Sequence, residues 1–176
     1  MKGLKIIMSN NSIEQFRMPR YKEIPNVGLY LEQTVKYIND IYASFDIEIT
    51  SSMLSNYVKK GYIEHPVKKQ YYAEQIASLL FIVTAKQTLS MENIAELFKL
   101  QKQTYTLQVA YDFFCDELEA MLENVSHRKI ITPAIDEDMP FAKKVLRSVV
   151  IAISHIIYLN QCFKCEMAEM KYEKTS

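Results

Sequence analysis

The chain reads as a mainly α protein: a helical N-terminal unit, then two long helices that form a hairpin or bundle. Three observations predict this. Glycine occurs three times and proline five times in 176 residues, too few for a turn-rich β protein. Apolar residues recur at spacings of three and four over most of the length. Hydrophobic residues make up 49% and charged residues 24%, the balance of an ordinary globular chain.

The elements follow in order. Met1 to Ser12 reads as a frayed leader, and the apolar core of Met1 to Met8 is too short for a secretory signal. Phe16 to Pro25 is extended, because each proline pushes its predecessor out of the helical region. Its Arg17, Arg20 and Lys22 suit an arm reaching phosphates. A strap laying Phe16, Met18 and Tyr21 on the first helix is the simpler reading. Leu29 to Tyr42 is helical, with Leu31, Val35, Ile38 and Ile41 or Tyr42 on one face. Ser44 to Ile49 turns the chain. Thr50 caps the next helix, which buries Met53, Leu54, Tyr57 and Val58 and stops at Gly61 after Lys59 and Lys60.

The opposite face of that helix carries Ser51, Ser52, Ser55, Asn56 and Lys59, short polar or cationic groups suited to a DNA major groove. Ile63 to Tyr72 is broken at His65-Pro66 and reads as a two-stranded turn with Lys68 and Lys69 near its tip. Glu74 to Lys86 is apolar around much of its circumference and therefore central. Ser90 caps a helix from Met91 to Leu100, with Ile94, Leu97 and Phe98 inward.

From Gln103 a heptad-like seam begins: Leu107, Tyr111, Phe114, Leu118, Met121 and Val125. His127 to Asp138 connects it to a helix opened by Pro140 and running to about Lys171. The stripe of that helix is Val145, Val149, Ala152, Ile156, Phe163, Met167 and Met170. Two such helices suit an antiparallel hairpin that pairs with its twin across a two-fold axis, a homodimer; the alternative is an intramolecular bundle with no dimer. The longest apolar run, Val149 to Leu159, is too short to span a bilayer, so no membrane partner is expected.

Charge and chemistry narrow the function. The net charge is zero but unevenly spread. Met1 to Tyr72 holds ten Lys/Arg against seven Asp/Glu, Ala73 to Asp138 five against eleven, and Met139 to Ser176 six against three. A basic N-terminal third beside an acidic middle fits a DNA-facing unit. No glycine-rich phosphate loop occurs. Three cysteines make no disulfide framework, which points to the cytoplasm. Cys162 and Cys165 form a CxxC seven residues after His155, but in a helix interior they read as packed or surface thiols, and no metal or cofactor is expected. His65, His127 and His155 fall in separate elements, and Asp112, Asp116, Glu117 and Glu119 read as solvated faces, so no catalytic set emerges and the chain is not expected to be an enzyme.

Residues 47–98 resemble the MerR-type winged helix-turn-helix. That family reads Ser-Pro-x-Thr-Leu-Arg-Tyr-Tyr-x-x-x-Gly-Leu-Leu, then a wing with Arg-x-Tyr. Here Thr50, Leu54, Tyr57, Lys60, Gly61 and Ile63 stand at matching places, and Lys69-Gln70-Tyr71 stands at the wing motif. Leu89-Ser90-Met91-Glu92-Asn93-Ile94 resembles the family's Phe-Ser-Leu-Glu-Glu-Ile. More narrowly, FRMPRYKEIPNVGLYLEQTVKYIND followed by ITSSMLSNYVKKG resembles a bacterial family of unknown function with such a core. The resemblance implies a winged helix-turn-helix domain over 13–102, a helical dimerisation or effector region over 103–176, and sequence-specific binding of double-stranded DNA by a transcriptional regulator. The implied contacts are Ser51, Ser52, Ser55, Asn56, Lys59, Lys60, Lys68, Lys69 and Tyr71. Ser55-Asn56 replaces the family's phosphate-touching Arg-Tyr pair, which supports an alternative: a protein-interaction adaptor that keeps the fold without the DNA.

Overall fold

A computed structural model describes residues 13–127 and 138–174, with side chains through Met167. The expected leader, the middle of the connection after His127 and the side chain of Met170 lie outside the described residues. The described chain is mainly helical. Its helices are α1 (Leu31–Tyr42), α2 (Ser51–Lys59), α3 (Ala73–Ala85), α4 (Met91–Thr104), α5 (Leu107–Ser126) and α6 (Phe141–Lys174). A two-stranded antiparallel sheet joins β1 (Leu29–Tyr30) to β2 (Gln70–Tyr71), with Leu29 opposite Tyr71 and Tyr30 opposite Gln70.

The caps follow the expected chemistry. Thr50 and Ser90 accept the backbone N–H of Met53 and Asn93, each at 3.2 Å. Gly61 ends α2 with φ +75°, a conformation that a side chain disfavours. Helix α3 is the centre: Ile76, Leu79, Leu80 and Ile82 are wholly buried, each worth about 1.5–3 kcal/mol of apolar burial. On α1 the deepest residues are Thr34, Ile38 and Tyr42, while Leu31 and Val35 are half-buried. The Tyr42 hydroxyl is buried between Leu80 O at 3.0 Å and Thr84 Oγ1 at 2.5 Å, and burial pushes its pKa up.

The segment 16–24 is a strap, and it grips α5 as well as α1. The Phe16 ring stacks with that of Tyr42 at a centroid distance of 6.0 Å and lies tilted against that of Phe45 at 4.5 Å. The polar side of the strap meets an acidic row on α5. Arg20 donates to Glu119 Oε1 at 2.7 Å, Glu119 Oε2 at 3.0 Å and Asp116 Oδ1 at 2.8 Å. The backbone N–H groups of Met18 and Tyr21 donate to Glu119 and Asp112, both at 2.7 Å. Tyr111 Oη donates to Pro19 O at 3.0 Å. Of the acids expected to be solvated, Asp112, Asp116 and Glu119 therefore hold the strap, while Glu117 meets α6. Burial alone would push the Glu119 carboxyl up, but hydrogen bonds from Arg20 and Met18 outweigh it and hold the carboxyl below the usual carboxylate range.

Helices α5 and α6 pack side by side, but parallel rather than as the expected antiparallel hairpin. Lys143 lies over the Phe113 ring, and Arg147, four residues on, pairs with Glu117, four residues further along α5, at 2.7 and 2.8 Å. A pairing that advances in the same direction on both helices defines parallel axes. The buried face of α6 also differs from the expected stripe. Val149, Val150, Ile153, Ser154, Ile157 and Gln161 are buried, whereas Ala152, Phe163 and Met167 are exposed. Beyond Gln161, whose amide donates to Ser44 O at 2.8 Å, Lys164 pairs with Asp46. By length and composition Phe141–Met167 suffices to cross a membrane, since the helix outruns its most apolar stretch; 33% of its most apolar window is buried in the protein.

Candidate nucleic-acid interface

Helix α2 presents the face expected of it. Leu54, Tyr57 and Val58 are buried, and Ser52, Ser55, Asn56, Lys59 and Lys60 are exposed. Helical periodicity does this, since residues three and four apart share a side. Ser51 is half-buried and donates from Oγ to Glu32 Oε1 at 2.7 Å, so its hydroxyl proton is engaged beside a carboxylate.

The lysine pair occupies a two-residue turn. Val67 N donates to Gln70 O at 3.0 Å and Gln70 N donates to Val67 O at 2.9 Å, which closes the turn on one residue pair. Lys68 and Lys69 both have positive φ, 50° and 66°. Positive φ at both central residues is the geometry of the tight hairpin turn that suits Asn-Gly; here two lysines occupy it at a conformational cost. Both are exposed. Among the described residues Lys59, Lys60, Lys68 and Lys69 make no ion pair.

The turn and α2 flank one junction. Strand β2 leaves the turn and pairs with β1, which runs straight into the first turn of α1, where Glu32 holds Ser51 at the start of α2. Gly28 lies against β2: a Cβ there would come within 2.7 Å of Gln70 Cβ, so the close approach of the strands needs glycine. Tyr71 is not part of this surface. It is 5% exposed, and burial raises its hydroxyl pKa, because its place opposite Leu29 turns the ring into the core. The expected two-stranded wing is likewise corrected: the strand partner of β2 precedes α1 and does not come from 63–66.

Groups outside this surface show little chemistry. Cys115 is buried and its thiol is pushed up to about 12 by desolvation. Cys162 is exposed and Cys165 half-buried, and the Nδ1 of exposed His155 lies 2.8 Å from Ile151 O, one turn back on its own helix. Among the described residues no group of three His, Cys, Asp or Glu is placed to hold a metal.

The class of protein defined by this fold and surface is a mainly helical chain with a polar, cation-edged helix face and a lysine turn. Residues 19–114 match a family described as a domain of unknown function (DUF1836), and the chain belongs to that family. No curated protein and no solved structure matches it. The family found is thus one of unknown function, and neither that match nor the fold shows a MerR-like or winged helix-turn-helix core; the MerR resemblance is overturned.

Proposed function

We propose that the chain binds double-stranded DNA sequence-specifically and regulates transcription. The observation that supports this reading is the pair of lysines in positive-φ conformation beside an exposed polar helix face. Asn-Gly would form the same turn more stably, and a retained local cost is a pointer to use. In this reading Lys59, Lys60, Lys68 and Lys69 attract and register phosphates. Ser52, Ser55 and Asn56 approach base edges, and the Asn56 amide can pair with adenine through two hydrogen bonds. Ser51 acts through its bond to Glu32 as a support for α2. The chain acts as a homodimer, with exposed Leu159, Phe163 and Met167, four residues apart on α6, as the contact stripe.

A second reading, a protein-interaction adaptor, is favoured by exposed apolar groups next to the lysines: Tyr30 at 55% and Val67 at 56%. Titration of the purified chain against random and genomic duplexes at low and high salt separates the two. DNA binding requires affinity that falls steeply with salt and a preferred subset of genomic fragments. The absence of binding at low salt would refute it.

A further inference from the structure

Where α3, α4, α5 and the first turn of α6 meet, they leave a cavity of about 60 Å³. Its walls are nearly all hydrocarbon, supplied by Phe81, Leu97, Phe98, Phe114 and Leu146. One lining residue carries charge, Lys143. Its Nζ lies 4.6 Å from the Phe113 ring centroid and 5.2 Å from that of Tyr105, and among the described residues it makes no ion pair. An ammonium drawn over two aromatic faces is partly stripped of water and holds its charge toward the cavity rim.

The parallel arrangement adds to this. Because α5 and α6 run the same way, both N-termini reach the cavity, through Leu107 and Ala142. Each helix start carries partial positive charge. The C-terminus of α4 also lies here, where Gln101 O accepts from Tyr105 N at 2.9 Å, Leu100 O from Thr104 Oγ1 at 3.0 Å, and Tyr105 O from Gln101 Nε2 at 2.5 Å. The charged group at this end of the apolar cavity is thus the Lys143 ammonium, and no Asp or Glu is among the residues that line the space. The shape calls for a small hydrocarbon body with a single negative charge. At ~10–15 Å³ for each water-sized unit, the space takes roughly four to six non-hydrogen atoms.

We infer that this cavity binds a short-chain aliphatic monocarboxylate, its alkyl body among Phe81, Phe98 and Phe114 and its carboxylate on Lys143. The inference does not depend on DNA binding.

The test is calorimetric titration of the full chain with acetate, propionate and butyrate, which have four, five and six non-hydrogen atoms, and with butyramide as the uncharged isostere of butyrate. Saturable one-to-one binding of the acids is expected, with butyramide at least tenfold weaker. Lys143→Gln should lose about the same factor, and Ala110→Leu, which fills the cavity wall, should abolish binding while keeping a cooperative melt. The acid-against-amide comparison uses the unaltered chain, so it decides the matter even if a variant fails to fold. Equal binding of acid and amide, or no binding of any acid up to about 10 mM, would overturn the inference. Undiminished binding to a folded Lys143→Gln or Ala110→Leu would overturn it as well.

Discussion

Replacing Lys68 by Asn and Lys69 by Gly separates the stability of the turn from its use. Both lysines sit at positive φ, 50° and 66°. Each non-glycine residue in that region costs about 1 kcal/mol, and Asn and Gly relieve most of it. Glycine returns some of the gain by loosening the unfolded chain, about 0.5–1 kcal/mol. The net expectation is a stabilisation of about 0.5–1.5 kcal/mol, with no contact removed from the core, because both side chains are exposed. For a chain of 176 residues that is a rise in Tm of about 1–6 °C, since each kcal/mol shifts a chain of this size by ~2–4 °C. Urea melts at fixed m-value give the free energy directly. In the same variant, loss of two phosphate contacts should flatten the log–log salt dependence of duplex binding by about 1.8. A variant that melts lower refutes the strain argument. An unchanged salt slope removes the turn from the interface.

Several further outcomes are expected. Asn56→Ala should relax sequence preference by about 1–3 kcal/mol at one base position while weakening random duplexes little, read by competition with single-base variants of a selected site. Tyr57 Oη is buried with no hydrogen-bond partner among the described residues, so Tyr57→Phe should be neutral or stabilise by up to about 1 kcal/mol in a urea melt, the ring and its Lys86 contact at 5.5 Å being retained. Gly28→Ala should destabilise by about 1–3 kcal/mol, because the new methyl meets Gln70. Because the carboxyl of Glu119 is held below its ordinary value in the folded chain, its stabilising contribution is full above the unfolded-state pKa and is lost as pH falls through the folded one. Stability of the parent should therefore drop on acidification below about pH 4.5, and Glu119→Gln should shrink that drop; an identical acid profile would contradict it.

The local features were legible because their causes are local. Thr50, Ser90 and Gly61 announce helix ends through hydrogen bonds and a backbone angle that involve a few neighbouring residues. Helix α3 announced itself by an apolar circumference that has nowhere to go but inward. The polar face of α2 was legible for the same reason, since three- and four-residue spacing decides which side chains share a side. The direction of α6 was not legible. A seam of apolar residues has the same spacing whichever way the partner runs, and the deciding pairs, Arg147 with Glu117 and Lys143 with Phe113, are about thirty residues apart in sequence. The inward face of α6 was misjudged because Val149 to Ile157 is apolar nearly all round, and because Gln161 is buried by a bond to Ser44 that no periodicity records. Tyr71 was misassigned because its orientation depends on its register with Leu29, more than forty residues upstream. The spacing of Asp112, Asp116 and Glu119 did mark one helix face, and Arg20 was the available signal for what meets it.

The strap's grip on α5 bears on how the protein can be cut. The family match stops at residue 114, inside that helix, after Asp112 but before Asp116 and Glu119. A recombinant fragment trimmed to the matched span would leave the Arg20 guanidinium without either of the carboxylates it touches, and the Met18 anchor would fall on both sides of the deletion. Expression boundaries drawn by homology would thus sever a clasp that the chain closes on itself, and a piece that keeps it runs from before Phe16 to beyond Glu119.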